Sequence, residues 1–405
     1  MELSVTTRRA TMLAAAAASL GLVATRRRGF AQAAPPGVTD AAILIGQTMP
    51  YSGPASSYGT IGRTEQAYFR KINEQGGVNG RKINLLSLDD GYSPPKTVEQ
   101  VRKLVEGEGV LLIFDPLGTA PNAAIQKYLN DRKVPQLFIS SGSSRFNDPH
   151  RFPWTMPWLP SYEAEGFDFG RYILQVRPAA KIAVLYQNDD IGKDYLHGIG
   201  RALGANSAQM IVARASYEVT DATVDSQILA LQASGADTLV SVATPKFAAQ
   251  CIRKVYEIGW KPLHLISNVG ASIGTVLKPV GVEKAMGMIT GAYVRDPTDP
   301  ATQATDGYKD YAAFMKQYYP EGDLSDFNNA IGYSIAQTLV YTLKQCGNDL
   351  SRDNVMRQAA SLHDLVLPMV MPGLVINTAP DDYQPLKGVR LMRFDGEHWV
   401  AIEKG

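Results

Sequence analysis

The chain has 405 residues, with 40 Lys and Arg against 39 Asp and Glu, a net charge of +1 and 45% hydrophobic residues. A near-neutral chain with no basic block beyond its N-terminus sets aside nucleic acid and anionic membrane surfaces as charge-driven partners. Two cysteines are too few for a disulfide scaffold, and five singly scattered histidines leave no metal-ligand pattern.

Residues 1–33 have the three-part layout of a secretory signal peptide. Arg8 and Arg9 form a basic start, residues 12–24 ("MLAAAAASLGLVA") an apolar run, and Ala31 and Ala33 occupy −3 and −1 of a cut after Ala33. That run falls short of the roughly 20 residues a bilayer requires. "TTRRATML" is also similar to a twin-arginine signal, although Thr11 stands where a large apolar residue is preferred, and Arg26-Arg27-Arg28 before the cut favours that route. An uncleaved anchor is the alternative. The expectation is export to the periplasm.

The remaining residues, about 370, suit two domains. Strands are expected at 41–49, 82–90, 110–116 and 135–140, with helices at 59–73, 94–106 and 121–131 between them. The apolar runs are continuous rather than alternating, as in strands buried on both faces. "FPWTMPWLPSYEAEG" (152–166) then reads as a crossover, because its prolines disfavour a helix or central strand. The pattern restarts with strands at 181–187, 209–217, 237–244 and 262–268 and helices at 191–204, 223–234 and 246–258. A strand at 287–294, helices near 303–318 and 327–346, and a late pair, "KGVRLMRF" and "EHWVAIE", complete the chain. Strand–helix–strand repetition predicts an α/β fold of two doubly wound parallel-sheet lobes. Returns near 292–298 and 368–373 assign residues 41–157 plus 293–372 to lobe 1 and residues 158–292 plus 373–405 to lobe 2. Cys251 and Cys346 fall in separate helical patterns and read as buried thiols, with pairing in an oxidising compartment as the alternative.

Catalytic motifs are absent: there is no phosphate loop, HExxH or CxxC. "GIGRALG" (198–204) lies late in a helix with the wrong spacing for a dinucleotide site, and "GYSIA" (332–336) lies inside a helical period rather than at a nucleophile elbow. More informative are the polar loops after strands 1, 3 and 4, "PYSGPASSYG", "DPLGTAPN" and "SSGSSRFNDP". Ligands of open α/β sheets bind beyond the carboxyl ends of the strands, and helix N-termini there favour an anion. Thr119 and Ser144 supply hydroxyls at that edge.

At these loops the chain resembles the periplasmic Leu/Ile/Val-binding and related amide-binding proteins, the type I solute-binding components of ABC importers. The resemblance rests on "ILIGQTMPYSGPASSYG", "INEQGGVNGRKINLLSLDDGYSP", "DPLGTAPNAAI", "VPQLFISSGSS" and "KIAVLYQNDDIGKDYLHGI". It implies a Venus-flytrap fold with three crossovers, a ligand held between lobes and docking onto inner-membrane permease subunits. By that resemblance Thr119 and Ser144, with backbone N–H groups of Gly118 and Ser143, hold a ligand carboxylate, and Tyr58 forms an apolar wall. Ile191, Thr244 and Val269 close the site from the second lobe. Val269 stands where the amino-acid binders carry an acid for the ligand ammonium, Ile191 where they often carry an aromatic, and their early disulfide is missing. The expectation is therefore a monomeric binding protein, without enzymatic activity, cofactor or metal, for a small carboxylate with an aromatic or apolar body. A branched-chain amino acid or short amide is the alternative ligand. A ligand-sensing regulator is set aside for want of an effector domain. A serine hydrolase using Ser143 or Ser144 is the distant alternative, since His150 alone lies near them in a strand-end loop.

Overall fold

The computed structural model describes residues 35–402. The expected signal peptide at 1–33 lies outside the described residues. The first sheet contains β1 (Ala42–Met49), β2 (Lys82–Asp89), β3 (Ile113–Phe114), β4 (Gln136–Ile139) and β5 (Thr155–Pro157), in the order β2-β1-β3-β4-β5 with every pair parallel. Helices α1 (Gly59–Glu74), α2 (Pro94–Arg102) and α3 (Thr119–Asp131) make the returns. The second sheet contains β6 (Ile182–Gln187), β7 (Ile211–Tyr217), β8 (Thr238–Val242), β9 (Leu263–Ile266), β10 (Ile289–Ala292), β11 (Arg390–Phe394) and β12 (Trp399–Ala401). Its order is β12-β11-β10-β9-β8-β6-β7, and the last two strands in sequence pair antiparallel at one edge. This is a two-lobed α/β architecture.

Each sheet is covered on both faces, which explains the unbroken apolar runs. Ile43 and Ile45 of β1 enter one core cluster while Leu44 between them packs against another. In β6, Ala183 and Leu185 face one cluster and Ile182 and Val184 the opposite one. After β5 the chain enters the second lobe with α4 (Tyr162–Val176), which packs on α5 (Asp190–Leu203). Following β10, the helices Asp306–Tyr318 and Phe327–Gln345 pack on α1, and the chain then runs back to β11.

The structure departs from expectation in several places. Within 152–166, Thr155–Pro157 forms an edge strand, where a proline removes no needed ladder bond. Helix α4 begins inside the same stretch because the Ser161 side chain accepts from Ala164 N at 3.3 Å and caps it. Strand β3 is two residues long rather than seven, since Asp115 at φ 40° turns the chain toward the site. The helix expected at 94–106 is α-helical to Arg102 and ends in one π turn, Lys103–Gly107. A helix at Arg352–Ala359 was not anticipated. Cys251 and Cys346 are separate buried thiols. In the "EQGGVNG" turn Gly77 has φ 75°, and a Cβ there would lie 2.0 Å from the Arg81 carbonyl oxygen, so this distinctive motif serves the backbone.

Candidate functional site

Strand ends and helix starts from both lobes line one cavity. Four helices present their first residues to it. Thr119 opens α3, Ile191 lies in the first turn of α5, Thr244 precedes the helix Pro245–Glu257, and Phe327 and Asn328 open Phe327–Gln345. Two of these N-termini are neutralised from within. Asp189 accepts from Ile191 N at 3.0 Å, and Asp326 accepts from Asn328 N at 3.1 Å. The other two, at Thr119 and Thr244, have no side-chain cap. The start of α3 at Thr119 therefore offers its partial positive charge to the cavity, whereas at Thr244 the N–H is taken by the Tyr217 hydroxyl and Pro245 has none, which leaves only the helix dipole there.

The remaining wall is neutral. Tyr58, Tyr92, Tyr162 and Tyr293 line it with Ile61, Leu117, Leu159 and Ile331, and no lining residue is charged. Burial pushes the phenols of all four tyrosines up, so they remain neutral hydrogen-bonding groups. Gly118 before α3 has φ 102°, and a Cβ there would lie 2.5 Å from Cε2 of Tyr92. Only glycine admits both that turn and the ring beside it.

Of the residues picked from sequence, Tyr58, Gly118, Thr119, Ile191, Thr244 and Val269 line this one cavity. Ser143 and Ser144 do not. The Ser144 N–H and hydroxyl both donate to Asp194 of α5, at 2.9 and 2.8 Å, tying the two lobes. Backbone N–H groups expected to meet a carboxylate are also spent: Gly118 donates to Ser140 O at 3.2 Å and Ser143 to Ser141 Oγ at 3.3 Å. Ser141 is instead the hydroxyl beside Thr119, with the two oxygens 2.8 Å apart. Tyr58 does more than supply an apolar wall, since its hydroxyl donates to Val269 O at 2.7 Å. Thr244 N–H is met by the Tyr217 hydroxyl at 3.0 Å, behind the lining.

The carboxylates nearest in sequence are engaged elsewhere. Glu163 pairs with His197 and Arg201, and Asp190 with Arg145 and Lys193, all partly exposed. Glu165 is fully buried, where it accepts from Tyr195 Oη at 2.7 Å, Asn268 N at 3.0 Å, Asn268 Nδ2 and Gly291 N at 3.3 Å. Burial pushes it up to about 7 against these donors. Beneath the first-lobe wall, Glu65 and Asp115 form a second buried acidic site, both raised by desolvation, with mutual repulsion adding to the rise at Glu65. Among the described residues no cluster suited to a metal ion occurs.

The sequence matches the periplasmic binding protein family over residues 42–398. Leu/Ile/Val-binding protein homolog 7 of Brucella abortus (strain 2308) is 25% identical over 312 residues, covering 72% of this chain and 75% of that protein. Among solved structures, the fatty acid ABC transporter substrate-binding protein from Thermomonospora curvata is similar with a TM-score of 0.77 at 22% identity, covering 91% of this chain and 94% of that one. The solute-binding protein of an ABC transporter from Rhodopseudomonas palustris BisB5, in complex with 3,4-dihydroxybenzoic acid, gives 0.74 at 17% identity over 90% and 97%.

Proposed function

This chain belongs to the periplasmic binding protein family, whose members are solute-binding transport components rather than enzymes, and within it we propose that the chain binds a small carboxylic acid with an aromatic or apolar body between its lobes. One observation carries the reading: a wall without a charged side chain, on which the helix start at Thr119 carries no side-chain cap. An anion is favoured there by the helix dipole and first-turn N–H groups of α3, helped by the Thr119 hydroxyl, which Ser141 positions from behind the lining. A ligand ammonium, by contrast, meets no carboxylate. Val269 offers an apolar side chain, and its carbonyl already accepts from Tyr58. Leaving one member of a buried ion pair without its partner costs about 3–5 kcal/mol, or about a few hundredfold or more in affinity.

Delivery to ABC permease subunits, a monomeric state, and export with cleavage near Ala33, by the Sec or the twin-arginine route, belong to the same proposal. No helix among the described residues is long and apolar enough to cross a membrane. Calorimetry on ligand-stripped protein with leucine and with 4-hydroxybenzoate tests the reading. Binding of the aromatic acid with leucine at least a hundredfold weaker is expected. Submicromolar leucine binding with no response to any aromatic acid overturns it in favour of an amino-acid ligand.

A further inference from the structure

A second, smaller cavity adjoins the first and shares three wall residues with it, Asn268, Tyr293 and Phe327. Its own walls are mostly apolar: Ala271, Ala292, Val294, Met392 and Trp399, from the second sheet and the returning chain. Two polar groups face it from β10 and the segment after it, Thr290 and Asp296. Asp296 is satisfied, accepting from Thr298 N and Oγ1 at 2.8 Å each and from Trp399 N at 3.1 Å. Thr290 is not: it is 2% exposed, and its hydroxyl has no hydrogen-bond partner. A buried polar atom without a partner is costly, and here it faces empty space.

The partition between the chambers is thin on one side. Phe327 is the first residue of its helix, is only half-buried, and packs against the cores of both lobes without a polar tether. Its ring is part of the wall of both chambers. On the reading that the first chamber takes a carboxylate, we infer that the second receives the far end of the same ligand, which makes the substrate class an extended acid whose distal end bears a hydroxyl or similar group for Thr290. A benzoate-sized acid is expected to use the first chamber alone, and a longer acid, such as decanoate, to extend into the second.

The inference deepens the proposed function, and the two fail differently. Calorimetry with benzoate, hexanoate, decanoate and 10-hydroxydecanoate is run on the parent, Ala292→Leu and Thr290→Val. In the parent, affinity is expected to rise by about fourfold per methylene up to decanoate, and the terminal hydroxyl is expected to add about threefold or more. Ala292→Leu narrows the second chamber and is expected to weaken decanoate at least tenfold while leaving benzoate unchanged. Thr290→Val keeps the shape and is expected to abolish the advantage of the hydroxylated acid alone. Benzoate binding with no gain beyond hexanoate, or an Ala292→Leu profile identical to the parent, overturns the two-chamber ligand and leaves the first-chamber reading standing. Absence of binding by every acid overturns both.

Discussion

The hydroxyl of Tyr58 donates to the carbonyl of Val269 at 2.7 Å, joining positions 211 residues apart across the mouth of one cavity. Tyr58 ends the short helix before α1 in the first lobe, and Val269 follows β9 in the second. The bond therefore exists only while the lobes are together, and both residues line the cavity. Tyr58→Phe removes the bond and keeps the ring. A hydrogen bond of this kind contributes about 0.5–1.5 kcal/mol, so affinity is expected to fall about three- to tenfold, mainly through faster release, with an unchanged far-ultraviolet spectrum. Stopped-flow release rates equal to those of the parent would show that the bond takes no part in closure.

Ser144 gives a contrasting case. Its two donors go to Asp194 in α5 and not to the cavity. Ser144→Ala is expected to weaken all ligands by one common factor of about three- to thirtyfold, because it opens the lobes without changing the site. Thr119→Val removes a hydroxyl from the cavity wall itself and is expected to weaken carboxylates tenfold or more while sparing their amides. Calorimetry of matched acid and amide pairs separates the two. Equal losses for acid and amide in Thr119→Val would remove Thr119 from carboxylate recognition.

Much of this was legible from local sequence, and what was not has a common cause. Doubly buried strands announce themselves as apolar runs, and polar loops at strand ends mark the ligand edge, which points to Thr119, while Thr244 and Ile191 follow from the family resemblance. A hydroxyl in such a loop reads alike whether it faces a ligand or another lobe, and Ser144 turned out to face Asp194. Tyr92 and Tyr162 were missed because they follow a loop and a crossover with no hydrophobic period, Tyr293 because it ends an apolar run that reads as a strand, and Phe327 because it opens a helical period that reads as core. Only the approach of the second lobe makes them a wall. A weak sign was available at "DDGYSP", where Tyr92 takes φ 61° directly after Gly91 at φ 57°.

Gly118 couples backbone conformation to the site. Gly118→Ala forces a side chain into φ 102° and against the Tyr92 ring. Strain of about 1–3 kcal/mol is expected, read as a lower urea midpoint. Displacement of the ring into the cavity adds a loss of affinity for bulky acids greater than for small ones. A variant of parental stability and affinity would show that the turn before α3 tolerates a Cβ.

Buried acids set the dependence of stability on pH. Glu165 sits at about 7 when folded against an ordinary value of 4.5, because burial outweighs its four hydrogen-bond donors. A carboxyl raised in this way binds more protons folded than unfolded, so its contribution is fully present below about pH 4.5 and is lost as the pH rises through 7. The Glu65 and Asp115 pair, raised by the same desolvation, acts in the same sense. His264 opposes them: burial lowers it to about 3, so the unfolded chain takes up its proton first and stability falls as the pH drops below 6.5. Between pH 6.5 and 8 the acids therefore act nearly alone, and the parent is expected to lose stability across that window. Ionised at pH 8, Glu165 alone costs up to about 3 kcal/mol relative to an unperturbed carboxyl. In Glu165→Gln one amide N–H faces a donor, which costs about 1–3 kcal/mol at every pH, so the slope rather than the absolute stability is the readout. Urea unfolding at pH 6.5, 7.2 and 8 is expected to show a shallower slope in Glu165→Gln and in Asp115→Asn than in the parent. A parent with no slope in that window would mean that these acids stay ionised, held so by their hydrogen bonds.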